Sequence, residues 1–171
     1  MPSVIIPNLR ERIDLKLAEA GFFLQKLSEL ENVHEVQLER DRQVFRFYAS
    51  AFLNAVQVPP QYILDSVKVA HPLDPNMAIV PVPIQTWYDA EVINNALLSF
   101  IALDRNYYNH SVSTSHVAEM VRKFDIEFGD ALKAEWREYS GADKSVVPTA
   151  GAMLSAVRDL VCDARSKGFI S

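Results

Sequence analysis

The stretch VFRFYASAFLNAV, residues 44–56, decides the fold class. Its apolar stripe recurs mainly at three- and four-residue steps and consists of Phe45, Tyr48, Phe52, Ala55 and Val56. That spacing is typical of one face of an α-helix. The small side chains at 51 and 55 would let a second helix pack closely. We therefore predict a core helix here, opened by the charged segment 35–42 and stopped or sharply bent by Pro59-Pro60.

The same periodicity predicts helices on both sides of this core helix. One begins after Asn8, a candidate N-cap, and ends near Asn32. Another runs from Trp87 to about Tyr107 with Thr86 as its N-cap, and another from about His116 to Tyr139. Thr149 is the predicted N-cap of the last helix, which ends in a glycine cap at residues 167–169. No strand is predicted. The expected fold is all-α, an up-and-down bundle of four long helices plus one short helix.

The chain reads as a single helical domain, residues 1–171, with a proline-rich connection at residues 59–85. Six of its nine prolines lie between Pro59 and Pro83, so no long helix is expected to cross this region. We predict a short helix around residues 61–67 and then an extended connection. Such a long connection is unusual for a bundle. Either it has a role in function or packing, or it is simply a surface loop.

The composition of the chain argues against several classes of protein. A formal net charge of −5 argues against strong, non-specific binding of nucleic acid, which would need a local cationic patch. The single cysteine, Cys162, falls on a predicted buried stripe and is expected to be an inert core thiol. We expect no signal peptide, membrane span, metal or other cofactor, because no leader, long apolar run or ligand spacing is visible. A cytoplasmic location follows as the expectation.

The candidate functional stretch is RNYYNH, residues 105–110, which follows the apolar run at residues 96–103. On an ideal helix Asn106 and His110 are four residues apart and share a face, with Arg105 and Asn109 on the adjoining one. A guanidinium suited to pairing with phosphate would thus stand beside an imidazole that titrates near neutral pH. By spacing alone, an arginine followed by a histidine at this distance is weak evidence for a site.

In its context the stretch resembles the HEPN superfamily, the higher eukaryotes and prokaryotes nucleotide-binding domain. The mark of that family is an Arg-polar-x-x-x-His motif at the end of a helix in an α-helical bundle, which residues 105–110 match. Residues 45–56 resemble the family's aromatic and alanine-rich second helix, and Trp87-Tyr88 is similar to the aromatic pair that opens the motif helix. The likeness covers roughly residues 23–110. Ser111 stands where many members carry Glu.

The resemblance implies a metal-independent endoribonuclease whose composite site is formed by two copies of the motif in a homodimer. Arg105, Asn106 and His110 would be the catalytic residues. The product would carry a 2′,3′-cyclic phosphate. The substrate-binding residues would be Tyr107, Tyr108 and Asn109, with the tyrosines able to stack on bases. A role as a toxin or defence component, with an antitoxin or other protein partner, is part of this expectation.

Structural explanations of the same residues remain open. Arg105 paired with Asp104 or a neighbouring helix, and His110 closing a helix C-terminus, would serve stability alone. Tyrosines such as Tyr107 and Tyr108 are more often core or dimer-interface residues than platforms for bases. The alternative function is a non-catalytic helical module of the same fold that binds a protein partner or a nucleotide, which the acidic net charge and Ser111 favour.

Overall fold

The computed structural model describes residues 8–32, 39–108, 125–129 and 132–171, and for residues 103–108 it describes the backbone alone. These residues form a mostly helical structure with two small antiparallel hairpins. The elements are α1 Leu9–Glu31, α2 Glu39–Val56, α3 Val58–Val67, β1 Val69–His71, β2 Asp74–Ile79, α4 Val82–Tyr88, a π-helical segment Asp89–Ile93, α5 Ala96–Tyr108, β3 Ile126–Phe128, β4 Ala134–Trp136 and α6 Val146–Ser166.

Helix α1 has the boundaries that its sequence predicts. The Asn8 side chain accepts a hydrogen bond of 2.9 Å from the Glu11 N–H, and the Glu11 carboxylate accepts one of 2.9 Å from the Asn8 N–H. This reciprocal pair satisfies two donors that the first helical turn leaves free. Asn32 occupies the C-cap. One face of the helix is apolar, with Ile13, Ala20 and Leu27 fully buried.

Helix α2 is the predicted core helix. It packs along α1, and α6 contacts both of them as well as α3 and α5. Its buried residues are Phe45, Ala49, Phe52, Leu53, Ala55 and Val56. Pro59 and Pro60 end α2 in an unexpected way, because they lie in the first turn of α3. The backbone nitrogens of a first turn have no partner inside the helix, so proline is tolerated there and a new helix starts at once.

The expectation that the chain has no strand is wrong. Within the proline-rich connection, β1 and β2 form an antiparallel hairpin in which Val69 pairs with Ile79 and His71 with Asp74. Pro72 and Leu73 form the turn between the two strands, and the Leu73 N–H donates to Nδ1 of His71 at 3.1 Å. Prolines are compatible with this short, exposed hairpin because they occupy its turn and an edge position.

The helix predicted from Trp87 to Tyr107 is interrupted and starts earlier than expected. Thr86 is not an N-cap, because its hydroxyl donates to the Val82 carbonyl inside α4 at 2.9 Å. After the π-helical segment the chain restarts at Asn95, whose side-chain oxygen accepts from the N–H groups of Leu97 and Leu98 at 3.0 and 3.1 Å. This side-chain cap makes α5 a separate helix.

The prediction of a helix from His116 to Tyr139 is wrong at residues 126–128 and 134–136, which form the second hairpin. Strands β3 and β4 pair antiparallel, with Ile126 opposite Trp136 and Phe128 opposite Ala134. Residues 109–124, 130 and 131 lie outside the described residues. The apolar spacing of Phe128, Leu132 and Trp136 is four, which fits a helical repeat and a strand repeat of two equally well. The helical class is confirmed, whereas the bundle of four long helices is not.

Two further expectations about α6 are wrong. The helix begins at Val146, so Thr149 lies inside it and does not cap it. Cys162 is exposed and is not a core thiol. The predicted end is confirmed: Gly168 has a φ of 72°, and the Phe169 N–H donates to the Ala164 carbonyl at 3.0 Å. This is the Schellman arrangement, which favours glycine because its backbone is left-handed there.

Candidate functional site at the end of helix α5

The first four residues of the predicted motif occupy the last turn of α5. Residues 105–108 are helical in their backbone, whereas Asn109 and His110 lie outside the described residues. The backbone position of Arg105 follows buried Ile101 by four residues and buried Leu98 by seven. It therefore continues the line of the buried stripe to the end of the helix. The geometry between Arg105 and His110 stays a prediction.

Helix α5 is held in the core through the middle of its length. The Phe100 ring is packed edge-on against Tyr139, with 5.2 Å between ring centroids, and it meets Trp136 at 6.1 Å. Such aromatic pairs contribute about 0.5–1.5 kcal/mol beyond the area that they bury. Arg105 follows Phe100 by five residues on the same helix. The second hairpin and the segment after it thus brace the helix that carries the motif.

Trp136 is itself anchored by a buried hydrogen bond. Its indole Nε1–H donates to the Thr149 hydroxyl at 2.9 Å, and that hydroxyl donates to the Ser145 carbonyl at 2.6 Å. The apolar indole ring is removed from water, and the hydrogen bond gives a partner to its one polar group, the Nε1–H. Thr149 therefore joins β4 to the first turn of α6. Sequence reasoning assigned Thr149 a capping role and so missed this link.

Trp87 and Tyr88, the aromatic pair of the sequence analysis, are both buried and lie in α4. The Trp87 Nε1–H donates to the Asp163 carboxylate at 2.6 Å, and the Trp87 ring packs edge-on against Phe169 at 5.1 Å. Burial, with a smaller contribution from the Asp89 carboxylate, raises the pKa of Tyr88 well above its usual range. Trp87 therefore fastens α4 to the end of α6, and the Tyr88 ring is packed edge-on beside it.

An arginine–aromatic cluster on the surface was missed from the sequence. The guanidinium carbons of Arg42 and Arg46 lie 5.5 and 4.9 Å from the centroid of the half-buried Phe128 ring. Phe45 packs edge-on against the same ring at 5.6 Å. The sequence does show two arginines four residues apart on α2, which is about one helical turn and places them on the same face. Their contact with Phe128 could not be inferred from the sequence, because Phe128 was assigned to a helix.

Beside this cluster lies an open depression of about 530 Å³ with mixed charge. Its lining includes Phe128, Lys133, Glu135 and Glu127. The two glutamates stand directly opposite each other in the β3–β4 register. Arg137 offsets part of their repulsion, with a nitrogen 3.9 Å from the Glu127 carboxylate. The alternation of charge gives this depression no net preference for an anion.

In the part of the chain that the structure describes, no set of three or more His, Cys, Asp or Glu side chains lies close enough together to hold a metal ion. His71, the described histidine, has the local role in the β1–β2 turn noted above. Likewise, none of the described helices combines the length and the apolar composition needed to cross a lipid bilayer.

Comparison of the chain with profiles of protein families, with curated proteins and with solved structures finds no match.

Proposed function

We propose that this protein is a metal-independent endoribonuclease of the HEPN type, with Arg105, Asn106 and His110 as its catalytic residues. The observation that supports the proposal is the position of the motif. Its arginine and the following polar residue lie in the last turn of α5. The middle of that helix is packed against Trp136 and Tyr139. A helix held in this way presents its last turn at a defined place, as a catalytic group requires.

The residue chemistry fits cleavage of an RNA backbone. His110 would take the proton from a ribose 2′-hydroxyl, whose oxygen then attacks phosphorus. The bond from phosphorus to the 5′-oxygen breaks, and that oxygen takes up a proton, supplied by a second histidine in a composite dimeric site. Arg105 would hold the phosphate and stabilise the charge that develops on its oxygens. The products are a 2′,3′-cyclic phosphate and a free 5′-hydroxyl.

Asn106 would orient the phosphate or the imidazole, and Tyr107, Tyr108 and Asn109 would contact the RNA. A cytoplasmic homodimer that acts as a toxin or defence component, restrained by a protein partner, completes the proposal. The single cysteine is compatible with a reducing compartment. The net charge of −5 makes a confined cationic site the expected mode of RNA binding.

The test is cleavage of a labelled, mixed-sequence RNA in the presence of EDTA. We expect the wild type to yield fragments with cyclic phosphate ends, and we expect His110→Ala and Arg105→Ala to abolish that cleavage while their unfolding curves stay close to wild type. Arg40→Ala is the matched control, since Arg40 is an exposed arginine at the start of α2. Equal background cleavage from all four proteins would refute the proposal.

The second candidate function is a non-catalytic helical module that binds a protein partner. The exposed β1–β2 hairpin favours this candidate, because its apolar side chains lie on the surface. Ser111 in place of the usual glutamate also favours it. Folded protein that lacks RNA cleavage but binds a partner through the hairpin would support this function over the enzyme.

A further inference from the structure

The arginine–aromatic cluster of α2 and β3 brings two cations to one aromatic ring. The guanidinium carbons of Arg42 and Arg46 lie 5.5 and 4.9 Å from the centroid of the Phe128 ring. Since both distances start from the same point, the two carbons are at most their sum apart, roughly 10 Å, whereas physiological salt screens charges over about 8 Å. The two positive charges therefore repel each other, and an anion between them would relieve that repulsion.

Acidic side chains on α2 neutralise this pair of arginines only in part. Within the described ranges, Glu39 is the one carboxylate at ion-pair distance from either guanidinium, and it lies 3.5 Å from Arg46. Both side chains of this ion pair are exposed, by 66% and 43%, so the pair contributes little. Asp41 precedes Arg42 directly, and consecutive residues of a helix do not face each other. Among the described residues Arg42 makes no ion pair, so its charge is available to a ligand.

The glutamates of the β3–β4 hairpin lie on its other face. Phe128 pairs with Ala134, and Glu127 pairs with Glu135 at the neighbouring position of the register. Side chains of successive strand residues point to opposite faces of a sheet. The two glutamates therefore point away from the face on which the Phe128 ring meets α2, and they are not placed to pair with the two arginines.

The Phe128 ring also restricts the two guanidiniums before a ligand binds. An arginine side chain has many rotamers, and ordering it opposes the binding of an anion. Phe128 is itself fixed, since Phe45 packs edge-on against it at 5.6 Å, and its contact with both guanidiniums limits their freedom. A guanidinium can contact a ring through its flat face and still direct its N–H donors sideways to two phosphate oxygens.

We propose that Arg42 and Arg46, held on Phe128, form a binding site for a phosphate group. Phosphate fits because it accepts paired hydrogen bonds from guanidiniums and supplies the negative charge that this pair lacks. The phosphate belongs either to the backbone of a single strand of RNA or to a free phosphate ion. In the first case the site is an anchor for RNA apart from the motif of α5, it rests on the proposed function, and it provides the local cationic patch that a chain of net charge −5 needs.

Fluorescence anisotropy of a short, labelled, mixed-sequence RNA tests the site in a His110→Ala background, in which the RNA stays intact. We expect Arg42→Gln and Arg46→Gln each to raise the dissociation constant about tenfold. Each should also lower the slope of log affinity against log salt by about 0.7, because one phosphate contact is lost. Arg158→Gln is the matched control, since it removes the same charge from an exposed arginine of α6, and its affinity should equal that of the background.

Calorimetric titration with inorganic phosphate distinguishes the two sources. Binding of RNA without binding of phosphate alone assigns the site to RNA, whereas binding of phosphate that Arg42→Gln removes assigns it to the free ion. Phe128→Leu keeps both positive charges but removes the ring, so it should weaken the same ligand severalfold, and urea unfolding checks that each variant is folded. The proposal is overturned if the wild type binds neither ligand, or if affinity is unchanged in both arginine variants or in Phe128→Leu. Since binding is measured without cleavage, failure of the ribonuclease proposal leaves this test intact.

Discussion

The indole nitrogen of Trp136 and the hydroxyl of Thr149 are joined by a 2.9 Å hydrogen bond, with Trp136 fully buried and Thr149 5% exposed. Since the Thr149 hydroxyl also donates to the Ser145 carbonyl, one oxygen holds β4 against the start of α6. The Trp136 ring in turn meets Phe100 of α5. The contact between Trp136 and Thr149 acts beside the backbone hydrogen bond of 2.8 Å from the Trp136 N–H to the Lys144 carbonyl, and together they join β4 to the last helix.

Thr149→Val tests that contact. Valine keeps the shape of threonine but leaves the Trp136 N–H buried without an acceptor, so we expect the free energy of unfolding to fall by about 1–3 kcal/mol. Urea denaturation measures the change. Thr149→Ser, which keeps the hydroxyl, is the control and should lose less. Equal losses in both variants would mean that the methyl group matters and the hydrogen bond does not.

Two glycines give opposite predictions for the same substitution. A Cβ at Gly141 would overlap the Tyr139 ring, which is buried against Phe100, so Gly141→Ala should destabilise the protein by about 1–3 kcal/mol. A Cβ at Gly151, inside α6, meets no atom within 4 Å. Gly151→Ala should therefore stabilise the protein by about 0.5–1 kcal/mol, because alanine favours the helix. Thermal unfolding measures both, and shifts of the same sign would contradict this packing.

Ionisation of two carboxylates should change the stability of the protein in opposite directions. Partial burial raises the pKa of Glu31, with a smaller opposing effect of Lys133, so folding favours its protonated form. Hydrogen bonds from Ser145 lower the pKa of Asp143, so folding favours its ionised form. Glu31 thus costs stability once the pH rises above the usual glutamate range of about 4.3, whereas Asp143 contributes stability above about 3.9 and loses it as the pH falls through its lowered pKa.

Urea unfolding of Glu31→Gln and Asp143→Asn between acid and neutral pH checks this. At pH near 7, Glu31→Gln should be more stable than the wild type and Asp143→Asn less stable, and both differences should shrink towards zero in acid. A difference in the free energy of unfolding that stays the same at every pH would show that packing or hydrogen bonding, and not ionisation, causes it.

Arg105→Lys separates charge from geometry in the proposed site. Lysine keeps the positive charge but loses the planar pair of donors that grips a phosphate. We expect RNA cleavage to fall about tenfold to a hundredfold, equivalent to about 1.5–3 kcal/mol for a charge-assisted hydrogen bond, mostly through kcat. Arg40→Lys is the control. Cleavage by Arg105→Lys at the wild-type rate would place Arg105 outside the reaction.

Local signals in the sequence predicted the fold wherever a few neighbouring residues decide the structure. Asn8 with Glu11 marks the start of α1, and Gly168 marks the end of α6, because capping depends on residues within one turn. The apolar face of α2 was predictable because its period is unambiguous. In each of these cases the deciding contacts are close in sequence.

The predictions from sequence failed where contacts between residues far apart in the chain decide the structure. The spacing of Phe128, Leu132 and Trp136 fits helix and strand alike, and the pairing of Ile126 with Trp136 selects the strand. Thr149 has the composition of a cap, but its distant partner Trp136 sets its role. Cys162 lies beside buried Val161, and one step around the helix moved it to the surface. For the candidate site, the predicted end of a helix near residue 107 is confirmed, because α5 ends at Tyr108, and the role of the motif stays a prediction.

The Asn95 cap and the π-helical segment before it have a mechanical consequence. Because the backbone hydrogen bonds of α4 do not continue into α5, the direction of α4 does not set the direction of α5. The Phe100 side chain packs against Trp136 and Tyr139 near the middle of α5, and Arg105 follows it by five residues on the same helix. A shift of α5 at these contacts would therefore move the backbone at Arg105 with it.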